Sequence, residues 1–598
     1  MLPLVRILIV TDDTINAHGG FLRWQDQAAA DARGPNSRQF HLGEFCRCLE
    51  TTVWVGFNIA ITKAHRTTAP SGGMNEAALK ADRGADVVGF RFNQAFTIGA
   101  QTQTLADYDM ILFFPTDGTN PNTAFAAEAE AIAQYMENGG GFFATGDHAN
   151  LGSQICGLLP RVRSMRRWWS PNAGPNGEPV APPPLGPTRH DTTRPGPDNV
   201  MTFEDQSDDI AMEITPTVYN AGFTIRQGYP AQRFFPHPLL CSPEGMVTWL
   251  PDHMHEGWCE VPGNLATRTF TIGNTTLREY PDYAPPNTPG APLAPEIVAT
   301  GQVLPGATSP AVDPAHVGDS TPANGKSFGV IGAWDGHLVG KGRVVVDSTW
   351  HHFFDINLSG DRFLEDNNLP TDQTQKLYGF YVPGAGGARV PNTAYRLIMW
   401  YFRNIVYWLI PAQRHAPLWW HTLLSALNRP RLNEELLGNF GDYTLEHYHY
   451  FGQLAERYLQ QARGACATYE IHRYIFEIKI PWWEWVQEIV QVWDPAFRRN
   501  SRLPDARSQW LGMIGAAPQP QAALTIALGA ALVAAAAVRA EGIDDAEPEQ
   551  AVQKVRKLFP QVLKKAAGEF GKALKSGMEI ARAFESVAAQ QLKYKATK

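Results

Sequence analysis

At 598 residues the chain is too long for one hydrophobic core, so two or more domains are expected. It is 44% hydrophobic and 18% charged, a globular composition, and its net charge of −8 speaks against a general nucleic-acid binder. Charge is uneven: residues 551–598 hold eleven Lys/Arg and three Asp/Glu, a net +8 that leaves −16 for the rest.

The six cysteines form neither a disulfide ladder nor a paired CxxC motif, so reduced thiols and a cytoplasmic location are expected. Met1–Val10 is apolar but short and lacks a small-residue cleavage site, so it reads as a first strand and not as a signal peptide. That strand ends in Thr11-Asp12-Asp13, with His18 in the loop beyond. Carboxylates at a strand C-terminus stand on the edge where α/β folds bind ligands. The alternative is a capping role for Asp12 or Asp13. Phe40–Leu49 then reads as a helix, and residues 52–62 and 86–92 as strands.

The stretch from Leu105 to Gly152 reads as one turn of a parallel α/β sheet. Tyr108–Pro115 is an apolar run of the kind buried on both faces. A cap-forming turn leads into an Ala/Glu-rich helix over Thr123–Asn138, which Gly139-Gly140-Gly141 stops. Phe142–Thr145 begins the next strand, which breaks into Gly146-Asp147-His148 on the same expected edge. Asp147 could instead cap the helix after the elbow.

Met165–Asn199 is an aperiodic, Pro-rich insertion. Arg161, Arg163, Arg166 and Arg167 could grip an anion, although a solvated basic face is the favoured reading. Residues 263–325 form a second Pro/Gly/Thr-rich passage. Residues 328–334 and 342–347 read as paired strands, the second running into His351-His352 and Asp355. Adjacent residues at a strand end point to opposite sides, so one of the two histidines faces a pocket and His351 is preferred. After Asn392 the pattern is helical: 395–410, 432–437, 444–463, 482–492 and 551–591. Ala522–Val538 carries no charge over seventeen residues, at the lower limit for a bilayer crossing. Nine of those are Ala, so a buried helix is preferred over a membrane segment. The basic tail after it suits an anionic membrane surface or a protein partner.

The run Tyr108–Gly152 resembles the class I glutamine amidotransferase-like fold, in particular its ThuA-like (trehalose utilisation) branch, with Gly139–His148 similar to its triple-glycine turn, strand and elbow. His237-Pro238, the acidic segment Asp252-His253-Met254-His255-Glu256, and Gly340–Val346 followed by His351 are similar to further motifs of that branch, in the same order. The resemblance covers residues 4–410, with insertions at about 161–200 and 263–325, and implies a flavodoxin-like parallel sheet with helices on both faces. A mostly helical region follows over 411–598. Amidotransferases place a nucleophilic Cys on the elbow, whereas here it carries Asp147-His148 and the next cysteine is Cys156. A Cys-dependent glutaminase is therefore not expected.

Four polar groups are expected to converge at strand ends: Asp12/Asp13/His18, Asp147/His148, Asp252/His253/His255/Glu256 and His351/His352/Asp355. Asp147, His148, His351 and Asp12 are the candidate catalytic residues. Asp13, His18, His237 and Glu256 are candidates for substrate binding. Asp252, His253 and His255 are candidate ligands for a divalent metal such as Zn²⁺. The chain is thus expected to be a hydrolase or isomerase-like enzyme on a small polar, carbohydrate-like substrate. The alternative is an inactive scaffold whose helical half binds a protein partner or a membrane surface.

Overall fold

The computed structural model describes residues 2–12, 19–28, 38–67, 74–117, 123–147, 151–168, 212–220, 234–251, 257–283, 290–303, 326–360, 377–436, 442–463, 520–542, 547–559, 561–562 and 564–566. The fold is mixed α/β around one large, mostly parallel sheet. Its strands are β1 (Leu4–Thr11), β2 (Asn58–His65), β3 (Val87–Val88), β4 (Met110–Phe114), β5 (Gly141–Ala144), β6 (Arg166–Arg167), β7 (Thr215–Pro216), β8 (Trp258–Cys259), β9 (Glu296–Val303), β10 (Lys326–Trp334) and β11 (Val344–Asp347). They are ordered β7-β9-β10-β11-β5-β4-β1-β2-β3, with β8 bridging β10 and β6. From β11 through β3 every neighbouring pair is parallel, while β7, β9 and β10 run antiparallel.

The sequence of β1 explains its central place. Ile7 and Ile9 pack into one buried cluster and Leu8 and Val10 into another, so both faces of the strand are covered. The first cluster takes helices α1 (Gly43–Thr51) and α5 (Thr393–Leu409); the second takes α3 (Ala126–Glu137). Between α1 and α3 lies α2 (Glu76–Arg83), capped by the Asn75 side chain on Ala78 N. The aromatic run in α5 is buried as expected, with Phe402 4.9 Å from Phe45 and 5.1 Å from Phe353 between ring centres. From β1 the chain winds outward through β2 to β3, then returns to lay β4, β5 and β11 on the other side of β1. The crossover direction therefore reverses between β1 and β4, and that gap is where open α/β sheets bind ligands.

Several expectations need correction. The strand expected over 86–92 shrinks to Val87–Val88, because Gly89 turns with φ +67° and Phe90 and Phe92 pack under the sheet face instead. The passage 263–325 is not all insertion: it supplies β9, a full sheet strand, and a hairpin of Thr269–Ile272 with Thr275–Arg278. Arg161, Arg163 and Arg166 are buried, which removes the solvated basic face. Arg161 meets Glu137 at 2.6 Å and lies 4.1 Å over the Trp334 ring, and Arg163 meets Glu279 at 3.1 Å. Arg167 is half-buried and pairs with Glu260 at 2.6 Å. Cys46, Cys48, Cys156 and Cys259 are buried free thiols, whereas Cys241 is disulfide-bonded, a departure from reduced thiols throughout.

A separate buried cluster begins at Trp419. It is built by α6 (His415–Leu427), α7 (Leu445–Arg463), α8 (Pro520–Ala540) and residues 548–559. The uncharged stretch 522–538 lies in α8, where Ile526, Leu528 and Val533 are buried among residues of α7 such as Tyr448 and Phe451. Among the described residues no helix is long and apolar enough to cross a membrane. The helix expected over 482–492 lies outside the described residues.

Candidate active site

Five parallel strands end in polar residues on one edge of the sheet: His65-Arg66 after β2, Thr11-Asp12 after β1, Thr116-Asp117 after β4, Asp147 after β5, and Asp347 to His351 after β11. Asp12 spans the switch point. Its Oδ1 accepts from Thr116 N at 2.6 Å and Asp117 N at 3.1 Å, and its Oδ2 lies 3.4 Å from Arg66. Arg66 in turn meets Glu128 of α3 at 2.8 Å. Burial raises the Asp12 pKa, against the opposing pull of Arg66 and the two backbone N–H groups. Asp12 is therefore a clamp joining β1 to the residues after β4.

His65 was not singled out by sequence, because a lone histidine at a strand end carries no motif. It is fully buried beside β1, with Nδ1 2.9 Å from Thr11 Oγ1. Burial, then the charges of Arg83 and Arg66, lower its pKa from 6.5 to about 3. The native state thus binds the His65 proton less readily than the unfolded chain does. Its contribution to stability is complete above pH 6.5 and is lost as pH falls toward 3. The loss is on the order of a few kcal/mol. Asp12 and Asp355, whose pKa values are raised, act in the opposite sense in acid. Comparing urea midpoints of the natural protein and His65→Gln across this range isolates the histidine. The variant is expected to lose less stability on acidification; parallel profiles would refute the assignment.

Asp147 and His351 come together although 204 positions separate them in sequence. Both are fully buried, with His351 Nε2 3.4 Å from Asp147 Oδ2. Thr349 bridges them: its hydroxyl donates to Asp147 Oδ1 at 3.1 Å and accepts from His351 N at 3.1 Å. The other ring nitrogen, Nδ1, is 2.7 Å from Asn357 Oδ1. With that amide oxygen accepting, Nδ1 carries a proton, and Nε2, the nitrogen nearer Asp147, is the one that can gain or lose a second. Such a pair can give or take one proton, as general acid–base chemistry requires.

The elbow is shaped by tight local geometry. Asp147 N donates to Leu151 O at 3.0 Å and Gly152 N to Asp117 O at 2.8 Å, tying the β5 and β4 loops together. Gly152 sits at φ +82° with Gly146 Cα and Pro115 O each 2.9 Å from where a Cβ would lie, so only glycine fits. The N-cap of the following helix α4 (Ser153–Cys156) is Gly152, which excludes the capping role for Asp147.

Arg166 joins this elbow to β11. Its Nε donates to Asp347 O at 3.0 Å, and its Nη2 donates to Asp147 O at 3.1 Å and also to Ser348 O. The guanidinium lies 4.4 Å over the Trp168 ring. Gly257 abuts the Arg166 guanidinium.

The two adjacent histidines lie in a 3₁₀ turn (Trp350–His352) and not on a strand, and both are buried. His352 turns to Asp347, with Nδ1 2.6 Å from Oδ1, while Tyr401 donates to Asp347 Oδ2 at 2.6 Å. Asp355 is drawn away to α1, accepting from Glu44 N and Trp24 N at 2.7 Å each. His237 is placed apart from the edge: its Nδ1 accepts from Leu239 N at 3.2 Å and its ring packs 5.3 Å from Trp408. The Trp408 carbonyl in turn accepts from Arg343, at the opposite, N-terminal end of β11.

No family model, curated protein or solved structure matches the chain. The geometry alone therefore carries the reading. Asp13, His18, His148, Asp252, His253, His255 and Glu256 lie outside the described residues. Among the described residues no group of three or more His, Cys, Asp or Glu side chains is arranged to hold a metal ion. Cys156 is the last residue of α4, and burial pushes its thiol well above the ordinary range, with Asp117 and Asp12 adding to the effect. It is no thiolate nucleophile. Asp117, Thr349 and Asn357 carry no motif in the sequence, and Arg166 stands there among arginines expected on a solvated face. Asn357 follows His351 by six residues, yet only the turn between them shows that they face each other.

Proposed function

We propose that the chain is an enzyme of hydrolase or isomerase type that acts on a small polar, carbohydrate-like substrate at the C-terminal edge of its parallel strands. The observation that supports this most is the buried Asp147–His351 pair on adjacent strand ends, bridged by Thr349. In this reading His351 takes a proton from water or from a substrate hydroxyl or carbon, Asp147 stabilises the imidazolium, and the proton returns to the leaving or rearranged group. The fold reading that accompanies it is a flavodoxin-like, ThuA-like sheet without its nucleophile. In its favour, setting aside the two-residue β3 leaves the order β2-β1-β4-β5-β11, and the elbow at Asp147 and the closing strand before His351 fall on neighbouring strands.

The test is turnover of a panel of small esters, amides, glycosides and ketose–aldose pairs by the natural protein, Asp147→Asn and His351→Gln. Each substitution is expected to lower turnover by about 10²- to 10⁴-fold. Equal rates in all three proteins would end the proposal. Elemental analysis of the same preparations addresses Zn²⁺ at Asp252, His253 and His255, with loss of bound metal in His253→Ala as the expected result.

The competing reading is a scaffold whose helical part binds a partner or an anionic membrane surface. The separate core built by α6, α7 and α8 speaks for it. Co-sedimentation of the full chain with anionic but not neutral vesicles, with no turnover in the panel, would favour that reading.

A further inference from the structure

A second concavity lies at the other edge of the sheet. Asp109 and Gly140, the residues that lead into β4 and β5, line it, whereas Asp147 stands beyond the far end of β5. Its volume is about 690 Å³, within the rough 300–1,000 Å³ span of small-molecule sites. Among the described residues, Asp12, Asp147 and His351 do not border it.

The lining has a definite chemical character. Five carboxamides, Asn93, Gln94, Gln134, Asn138 and Gln413, line it from three segments of the chain. Each offers a carbonyl acceptor and an NH₂ donor pair. Gln134 already donates from Nε2 to Thr275 Oγ1 at 3.2 Å, which leaves its carbonyl for a ligand. Arg414 is fixed through Nε alone, 2.8 Å from Asp109 Oδ1, and is 45% exposed. The second Asp109 oxygen accepts from Arg6 N at 2.9 Å, so that carboxylate is locked and Arg414 is oriented by it. The terminal nitrogens of Arg414 have no partner among the described residues. Leu105, Tyr108, Tyr135 and Pro411 give the same cavity an apolar wall.

Charge narrows the ligand class. Asp109 offsets Arg414, and Glu549 adds one negative charge, so the lining offers no net attraction to an anion. Amide donors and acceptors beside an apolar wall match hydroxyl groups on a molecule with one non-polar face. We propose that this cavity binds a neutral, polyhydroxylated ligand of sugar size, at a site distinct from the Asp147–His351 pair.

The test is saturation-transfer NMR and calorimetry on the full chain with glucose and maltose, using glucose 6-phosphate as the anionic comparator. Asn138→Ala and Gln413→Ala remove exposed amides and spare the core. Each is expected to weaken sugar binding about tenfold, and Asp147→Asn to leave it unchanged. The proposal is overturned if neither sugar binds, if both amide variants bind as the natural protein does, or if the phosphate ester binds more tightly. Loss of sugar binding in Asp147→Asn with both amide variants unaffected would move the sugar to the strand C-terminal edge, and so would separate failure here from failure of the proposed activity.

Discussion

Arg166→Met is expected to destabilise the protein by about 4 kcal/mol, since each buried acceptor left without its donor costs roughly 1–3 kcal/mol. The guanidinium is fully buried and donates to the carbonyl oxygens of Asp147, Asp347 and Ser348. Methionine fills much of the volume and stacks on Trp168, so cavity formation contributes little; what is lost is the donor set. Burial lowers the Arg166 pKa, and the Asp147 carboxylate pulls against that shift. Arg166→Lys keeps the charge but replaces a planar fork with a single ammonium group, which cannot serve Nε and Nη2 partners together. It is expected to recover less than half of the loss. Urea denaturation of the three proteins gives the comparison; a change below about 1 kcal/mol for Arg166→Met would mean that water or neighbouring groups satisfy those carbonyls. The same substitution bears on the proposed chemistry, because Arg166 holds the backbone of Asp147 against the strand that carries His351.

This hub also marks the limit of what the linear sequence discloses. The central stretch was legible because its periodicities are local: an apolar run, an Ala-rich helix and a glycine stop became β4, α3 and β5 with ends shifted by a few residues. The convergence of Asp147 with His351 followed from the rule that parallel strands place their C-termini on one edge. Arg166 was misread for an equally physical reason. Four arginines in seven residues suggest a solvated face, and nothing local reveals that Glu137, Glu279 and a set of carbonyls await them inside. Strand β9 was hidden in a Pro/Gly/Thr-rich passage because a strand next to the edge tolerates the irregular register seen between Ile297 and Thr300. His237 looked functional by its neighbour Pro238, yet that proline opens a 3₁₀ turn that the imidazole caps.

Gly452→Val and Gly529→Val are each expected to cost about 3 kcal/mol by overpacking a helix crossing. A Cβ on Gly452 would lie 1.8 Å from Thr525 O, and one on Gly529 would lie 1.9 Å from Tyr448 O and 3.1 Å from Gly452 N. The two glycines therefore face each other where α7 meets α8, and both obstacles are backbone, which cannot rotate away. The helices must part, and the buried cluster that holds Tyr448, Phe451, Ile526 and Leu532 loosens along the crossing. Because one substitution already separates the helices, the double variant should cost clearly less than the sum of the singles. Gly542→Asn serves as the control: it keeps a left-handed position at φ +80° with open space around it, and should change stability by no more than a few tenths of a kcal/mol. The damage should also be local, since these side chains form a buried cluster apart from the sheet. Hydrogen exchange is expected to show lost protection in α7 and α8 with β1, β4 and β5 still protected. If the valine variants instead unfold at the urea concentration of the natural protein, the close crossing is wrong; if the sheet loses protection in step, the two clusters fold as one unit and the helical part has no stability of its own.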